Sequence, residues 1–105
     1  MILFKNNSSE TPYILFKEKY DEAFLAKQKL IEAISVSSFS IKKNEIDSRF
    51  VNLKIVDNKN FIFFTNYNSP KSIQFSSFNQ VAISIYWQTI NVQIRMKAKI
   101  QKTSL

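Results

Sequence analysis

Arg49, Lys54 and Lys71 lie in one stretch, Ser48 to Lys71, among hydroxyls and amides at Asn52, Thr65, Asn66 and Ser69. Cations with small polar neighbours bind anions. Ser69-Pro70-Lys71 has the form of a helix start, Ser as N-cap and Pro at the first helical position. A helix N-terminus presents free N–H groups and a partial positive charge, so Ser69 and Lys71 would add a hydroxyl and a full charge to a ready anion site. A strand-turn-strand pair just before it can aim Arg49 at the same point, where a guanidinium forks onto phosphate oxygens. Together these residues describe a mononucleotide phosphate pocket. The same residues also read as an ordinary helix start and a solvated edge charge, and residue types alone leave both readings open.

Composition removes other chemistries. The chain has no His and no Cys, so it has no ordinary nucleophile triad, no zinc centre and no disulfide. Its eight carboxylates show no motif spacing, and with no Gly there is no glycine-rich phosphate loop. No metal site and no catalytic side chain is expected. Proteins without acid–base residues of their own often delegate the reaction to a cofactor. The net charge of +7 is uneven: residues 58–105 hold six bases and no acid. A one-signed half points to an anionic partner or simply to solubility. No apolar run approaches the roughly 20 residues of a membrane span, and Met1 to Lys5 is too short for a signal-peptide core. A cytoplasmic protein without membrane contact is expected.

The elements that must position these residues form a single domain, 1–105. Residues 1–10 read as a loose leader, with Ile2 to Phe4 packed down. Thr11-Pro12 starts a helix expected to run from 12 to about 30, its apolar face made by Phe16, Tyr20, Ala23, Phe24, Leu30 and Ile31. Ala33–Ile41 alternates as a strand, with Ile34, Val36 and Ser38 on one face. Asp47–Val56 is the next strand, and Phe61–Thr65 a short one expected to be buried on both faces. After a short helix from Ser69, Val81–Trp87 and Asn91–Lys102 are strands. In the last, Val92, Ile94, Met96, Ala98 and Ile100 oppose Gln93, Arg95, Lys97, Lys99 and Gln101. Without Gly, positive-φ turns fall to Asn, at Asn44, Asn58, Asn60, Asn66, Asn68, Asn79 and Asn91. The order predicts an α+β, mainly β protein: an antiparallel small barrel or highly curved sheet with an N-terminal helix and one short helix.

From Pro12 to Lys102 the chain resembles the flavin-binding half of pyridoxamine/pyridoxine 5′-phosphate oxidase, a family with the FMN-binding split-barrel fold. The resemblance rests on R-F-V-N-L-K at 49–54, F-F-T-N at 63–66, S-P-K at 69–71, I-Y-W at 85–87 and V-Q-I-R at 92–95. It implies that Arg49, Ser69 and Lys71 hold the FMN phosphate and that the backbone of Phe50, Val51, Asn52 and Leu53 runs along the flavin. Phe64 and Thr65 would flank it and Gln93 would touch the isoalloxazine ring. Lys54 would border the site and meet the phosphate of a phosphorylated B6 vitamer. The implied reaction is hydride transfer from the substrate's C4′ to flavin, with reoxidation by O2 and release of hydrogen peroxide, in a homodimer. Pro70, Val92 and Asn52 stand where the family has Arg, Arg and Leu, and the resemblance spans only the middle half of a full-length member. Removing one charge-assisted hydrogen bond costs about 1.5–3 kcal/mol, so a non-catalytic flavin-binding remnant is the alternative. A third reading, a basic barrel gripping single-stranded nucleic acid through Arg95, Lys97, Lys99, Tyr86 and Trp87, competes with a solvated edge strand guarded by lysines.

Overall fold

The computed structural model describes residues 1–64 and 80–101. Its longest strand is β3 (Glu45–Asp57), a run rich in β-branched and aromatic residues without Gly or Pro, which suits a pleated surface. Its first part pairs antiparallel with β2 (Ala33–Ser40), from Ser40 opposite Glu45 to Ala33 opposite Asn52. Its last part pairs antiparallel with β4 (Asn60–Phe63) and parallel with β1 (Leu3–Lys5). β5 (Gln80–Trp87) pairs with β2, and β6 (Val92–Lys99) with β5, both antiparallel. The order is β1-β3-β2-β5-β6, with β4 also on β3: an open path among the described residues. Every pairing described but β1–β3 is antiparallel.

The register of β3 changes partway along. Leu53 lies opposite Phe63 and Ile55 opposite Ile62, so Lys54 is the extra residue of a bulge. A one-residue insertion moves later side chains to the other face. Accordingly Val51 and Leu53 are buried before the bulge and Val56 after it. The bulge is what lets one strand serve two parts of the sheet.

Helix α1 (Thr11–Leu25) lies against the sheet through Phe16, Tyr20 and Ala23. Phe16 meets Trp87 at 5.6 Å between ring centroids and Phe61 at 5.1 Å, while Tyr20 meets Phe4 at 5.0 Å. The helix stops about five residues short of the expected end. Lys27 adopts φ 59°, its N–H donates to the Phe24 carbonyl, and the Gln28 N–H donates to that of Ala23. This is a Schellman ending built on Lys where Gly is usual. Phe24 and Leu30, expected on the buried face, are instead half and almost fully exposed, and Ile31 is buried from outside the helix.

Other expectations shift in the same local way. The leader is packed down at Ile2 and Phe4 as expected: Ile2 is buried and its N–H donates to the Tyr20 hydroxyl at 2.8 Å; unexpected is a strand there, β1, paired with β3. β4 is half-buried over Phe61–Phe63 rather than enclosed on both faces; it pairs across the bulge and packs at the margin of the core. Asn44, Asn58 and Asn91 take positive φ as expected, and Asn6 joins them, whereas Asn60 begins β4. Trp87 is 1% exposed, so it is a core residue and not a stacking platform for a base. No helix among the described residues is long and apolar enough to cross a membrane.

Candidate functional site

β3 positions most of the candidate residues. Arg49 shares the face of Val51 and Leu53 and lies opposite Val36 of β2. Its side chain is 23% exposed, and Nη2 donates to Oδ2 of Asp47 at 2.5 Å. Residues two apart on a strand share a face, so the strand itself makes this pair. Phe50 and Asn52 point to the opposite face and are exposed, while Val51 and Leu53 are buried in the core. Along Glu45–Asn52 the only strand pairing with β3 among the described residues is β2. Among the described residues the other edge of β3 is therefore unpaired here, and an unpaired edge is where a backbone can meet a ligand.

Lys54 stands on the bulge. Five residues at about 3.3 Å each place it roughly 16 Å along the strand from Arg49. One phosphate group cannot span that distance, so the two cations belong to two anions or to separate ends of a long ligand. Lys54 Nζ donates to Oε2 of Glu32 at 3.3 Å, and the Met1 amine donates to Oε1 of the same carboxylate at 2.8 Å. The bond from the Met1 amine holds the Glu32 carboxyl below its ordinary value, against an opposing push from burial and with help from Lys54. Glu32 is fixed from its own backbone too. Its carbonyl accepts from the Leu53 N–H at 2.8 Å, and the neighbouring Ile31 carbonyl accepts from the Trp87 indole at 3.1 Å.

The remaining candidates spread out. Phe64 directly follows β4 and is exposed. Gln93 is exposed on β6 opposite Tyr86, three strand spacings from β3 or about 14 Å. Thr65, Ser69 and Lys71, and with them the expected helix start, lie outside the described residues. The sheet therefore gathers Arg49 through Lys54 on one strand but leaves Gln93 at the far edge, on the face of Phe50 and Asn52. Sequence reasoning missed two carboxylates, Asp47 and Glu32. The first was legible as an opposite charge two residues from Arg49. The second depends on a contact across 22 positions, for which the sequence carries no local signal.

The open, bulged sheet with α1 across it has the split-barrel fold. PhzG from Burkholderia lata 383, solved in complex with tetrahydrophenazine-1-carboxylic acid, superposes with a TM-score of 0.75 over 84% of this chain and 43% of that one, at 21% identity. No family model matches the chain. Its sequence is nonetheless 36% identical over 99 residues to the pyridoxine/pyridoxamine 5′-phosphate oxidase of Colwellia psychrerythraea, covering 94% of this chain and 45% of the relative. The Legionella pneumophila protein of the same name is 32% identical, with 97% and 47% covered. The chloroplastic Arabidopsis thaliana protein is 30% identical, with 95% and 19% covered. The chain belongs to the pyridoxine/pyridoxamine 5′-phosphate oxidase family. It spans about half the length, or less, of the curated relatives it matches.

Proposed function

We propose that this chain binds FMN along β3 and serves the oxidation of pyridoxamine or pyridoxine 5′-phosphate to pyridoxal 5′-phosphate. The observation that carries the reading is the build of β3: a strand whose edge over Glu45–Asn52 is unpaired on one side among the described residues, with a half-buried Arg49 and, on a bulge roughly 16 Å further along, Lys54. The residues fit a flavin mononucleotide. Arg49 has a planar fork suited to a phosphate, and the exposed Phe50 and Asn52 leave the strand accessible beside it.

Bound flavin supplies the two-electron acceptor that no side chain of this protein can provide. The chain's own part is to hold and orient. Arg49, with Ser69 and Lys71, grips the cofactor phosphate. The backbone of Phe50 to Leu53, with Phe64 and Thr65, borders the ring system. Lys54 receives the phosphate of the B6 vitamer and fixes the approach of its reacting carbon. Gln93, at the far edge of the sheet, would reach a ring held by a partner subunit more readily than one held on its own β3. That supports a homodimer, as does the exposed face carrying Ile46, Phe50 and Tyr86. Flavin binding without turnover is a second reading, favoured by the engagement of Lys54 with Glu32.

The test is an absorbance spectrum of the purified protein with and without added FMN, followed by an oxidase assay on pyridoxine 5′-phosphate. Flavin uptake, weakened about 10- to 100-fold in Arg49→Ala, is expected, since a hydrogen bond to a charged group contributes about 1.5–3 kcal/mol. A protein that takes up no FMN refutes the reading. One that takes it up without turnover above free FMN leaves the second.

A further inference from the structure

Glu32 has the geometry of a ligand, not of a loose surface charge. Its carboxylate reaches Lys54 at 3.3 Å, and its side chain is 22% exposed against 44% for Lys54. Its backbone is clamped to β3 through Leu53, and the preceding residue to β5 through the Trp87 indole. A flexible exposed pair would be worth little and would part easily. Here the acid is held in place from both sides, and Lys54 is the partner that can swing.

We propose that Glu32 is a tethered anion occupying the place at Lys54 that a ligand phosphate would take, so that phosphate affinity at Lys54 is set by competition with Glu32. The inference rests on the reading of Lys54 as a phosphate contact. It makes Glu32 a specificity-determining residue. A weak anion cannot displace a carboxylate already in position. A phosphomonoester, carrying nearly two charges and three acceptor oxygens, can, and the released Glu32 keeps the Met1 amine as its partner. The cost is affinity, because ligand binding must first break an ion pair and then tolerate a carboxylate beside the phosphate.

The experiment measures binding of 4-deoxypyridoxine 5′-phosphate by calorimetry. This ligand lacks the hydroxyl that would be oxidised, and its unphosphorylated form is the control. Glu32→Gln is expected to tighten the phosphorylated ligand at least about tenfold, a gain of about 1.4 kcal/mol, and to leave the control unchanged. In a Lys54→Met background the same substitution should gain nothing. Equal affinity in the two proteins, an equal gain for both ligands, a gain that survives Lys54→Met, or no binding to either protein would overturn the proposal. Should Glu32→Gln fail to fold, the carboxyl 13C resonance of Glu32 in the native protein reads the same event. It must move as ligand is added, and a fixed resonance at saturation also overturns the proposal. FMN uptake is followed separately by flavin absorbance. A gain without FMN uptake sinks the cofactor assignment and leaves this inference standing; uptake without the gain sinks this inference alone.

Discussion

Trp87 is the chain's single tryptophan, and replacing it with Phe tests both the core and the seating of Glu32. The indole is 1% exposed and packs on Phe16 at 5.6 Å and Tyr20 at 6.0 Å. Its N–H donates to the Ile31 carbonyl at 3.1 Å. Phe keeps the ring contacts but removes the donor, leaving a buried carbonyl unmatched at about 1–3 kcal/mol. The missing second ring opens a void of roughly 40 Å³, which at about 24 cal/mol per Å³ adds about 1 kcal/mol. The expected loss is therefore about 2–4 kcal/mol, a large part of the stability of a domain this size. Urea unfolding followed by far-UV circular dichroism measures it, since the variant lacks the fluorophore. Tyr86→Phe, next in sequence but on the exposed face, should change stability by less than about 0.5 kcal/mol. A Trp87→Phe loss below about 0.5 kcal/mol would refute the reasoning, because it would mean the indole is neither enclosed nor hydrogen-bonded.

Two other outcomes follow from the same structure. Lys27→Gly should stabilise the protein by about 1 kcal/mol in thermal or urea unfolding, because a left-handed residue with a Cβ costs roughly 1–2 kcal/mol. A loss of stability would place the helix ending elsewhere. Glu32 has its carboxyl held low in the folded protein by the Met1 amine, and by Lys54 in smaller part. Its contribution is therefore complete above the ordinary value of 4.5 and lost as pH falls through the lowered one. Glu32→Gln should be less stable than the native protein at pH 7 by less than about 1 kcal/mol for so partly exposed a pair, and the two curves should converge as pH falls below the lowered value; a gap that persists there counts against the ion pairs.

What could be read along the chain was local and periodic. Alternation of two in Ala33–Ser40 and Val92–Lys99 gave those strands and their two faces, because a pleat turns successive side chains to opposite sides whatever lies around it. The absence of Gly gave Asn its turns, because αL geometry must go somewhere at Asn44, Asn58 and Asn91. The R-F-V-N-L-K and F-F-T-N runs gave the family. Other features needed the whole fold. α1 ends at Leu25 although apolar spacing continues to Ile31, since the Lys27 turn is closed by hydrogen bonds back to Phe24 and Ala23 and by Gln28, whose side-chain oxygen accepts from Thr89 far along the chain, and not by the preference of Lys. β1 exists only because β3 offers it an edge. The bulge at Lys54 is a mismatch between two strands and so belongs to neither sequence alone. The pairing of Lys54 with Glu32 is of the same kind. Both charges are visible in the sequence, but only the folded sheet brings a residue from just before β2 to the bulge of β3 and holds it there.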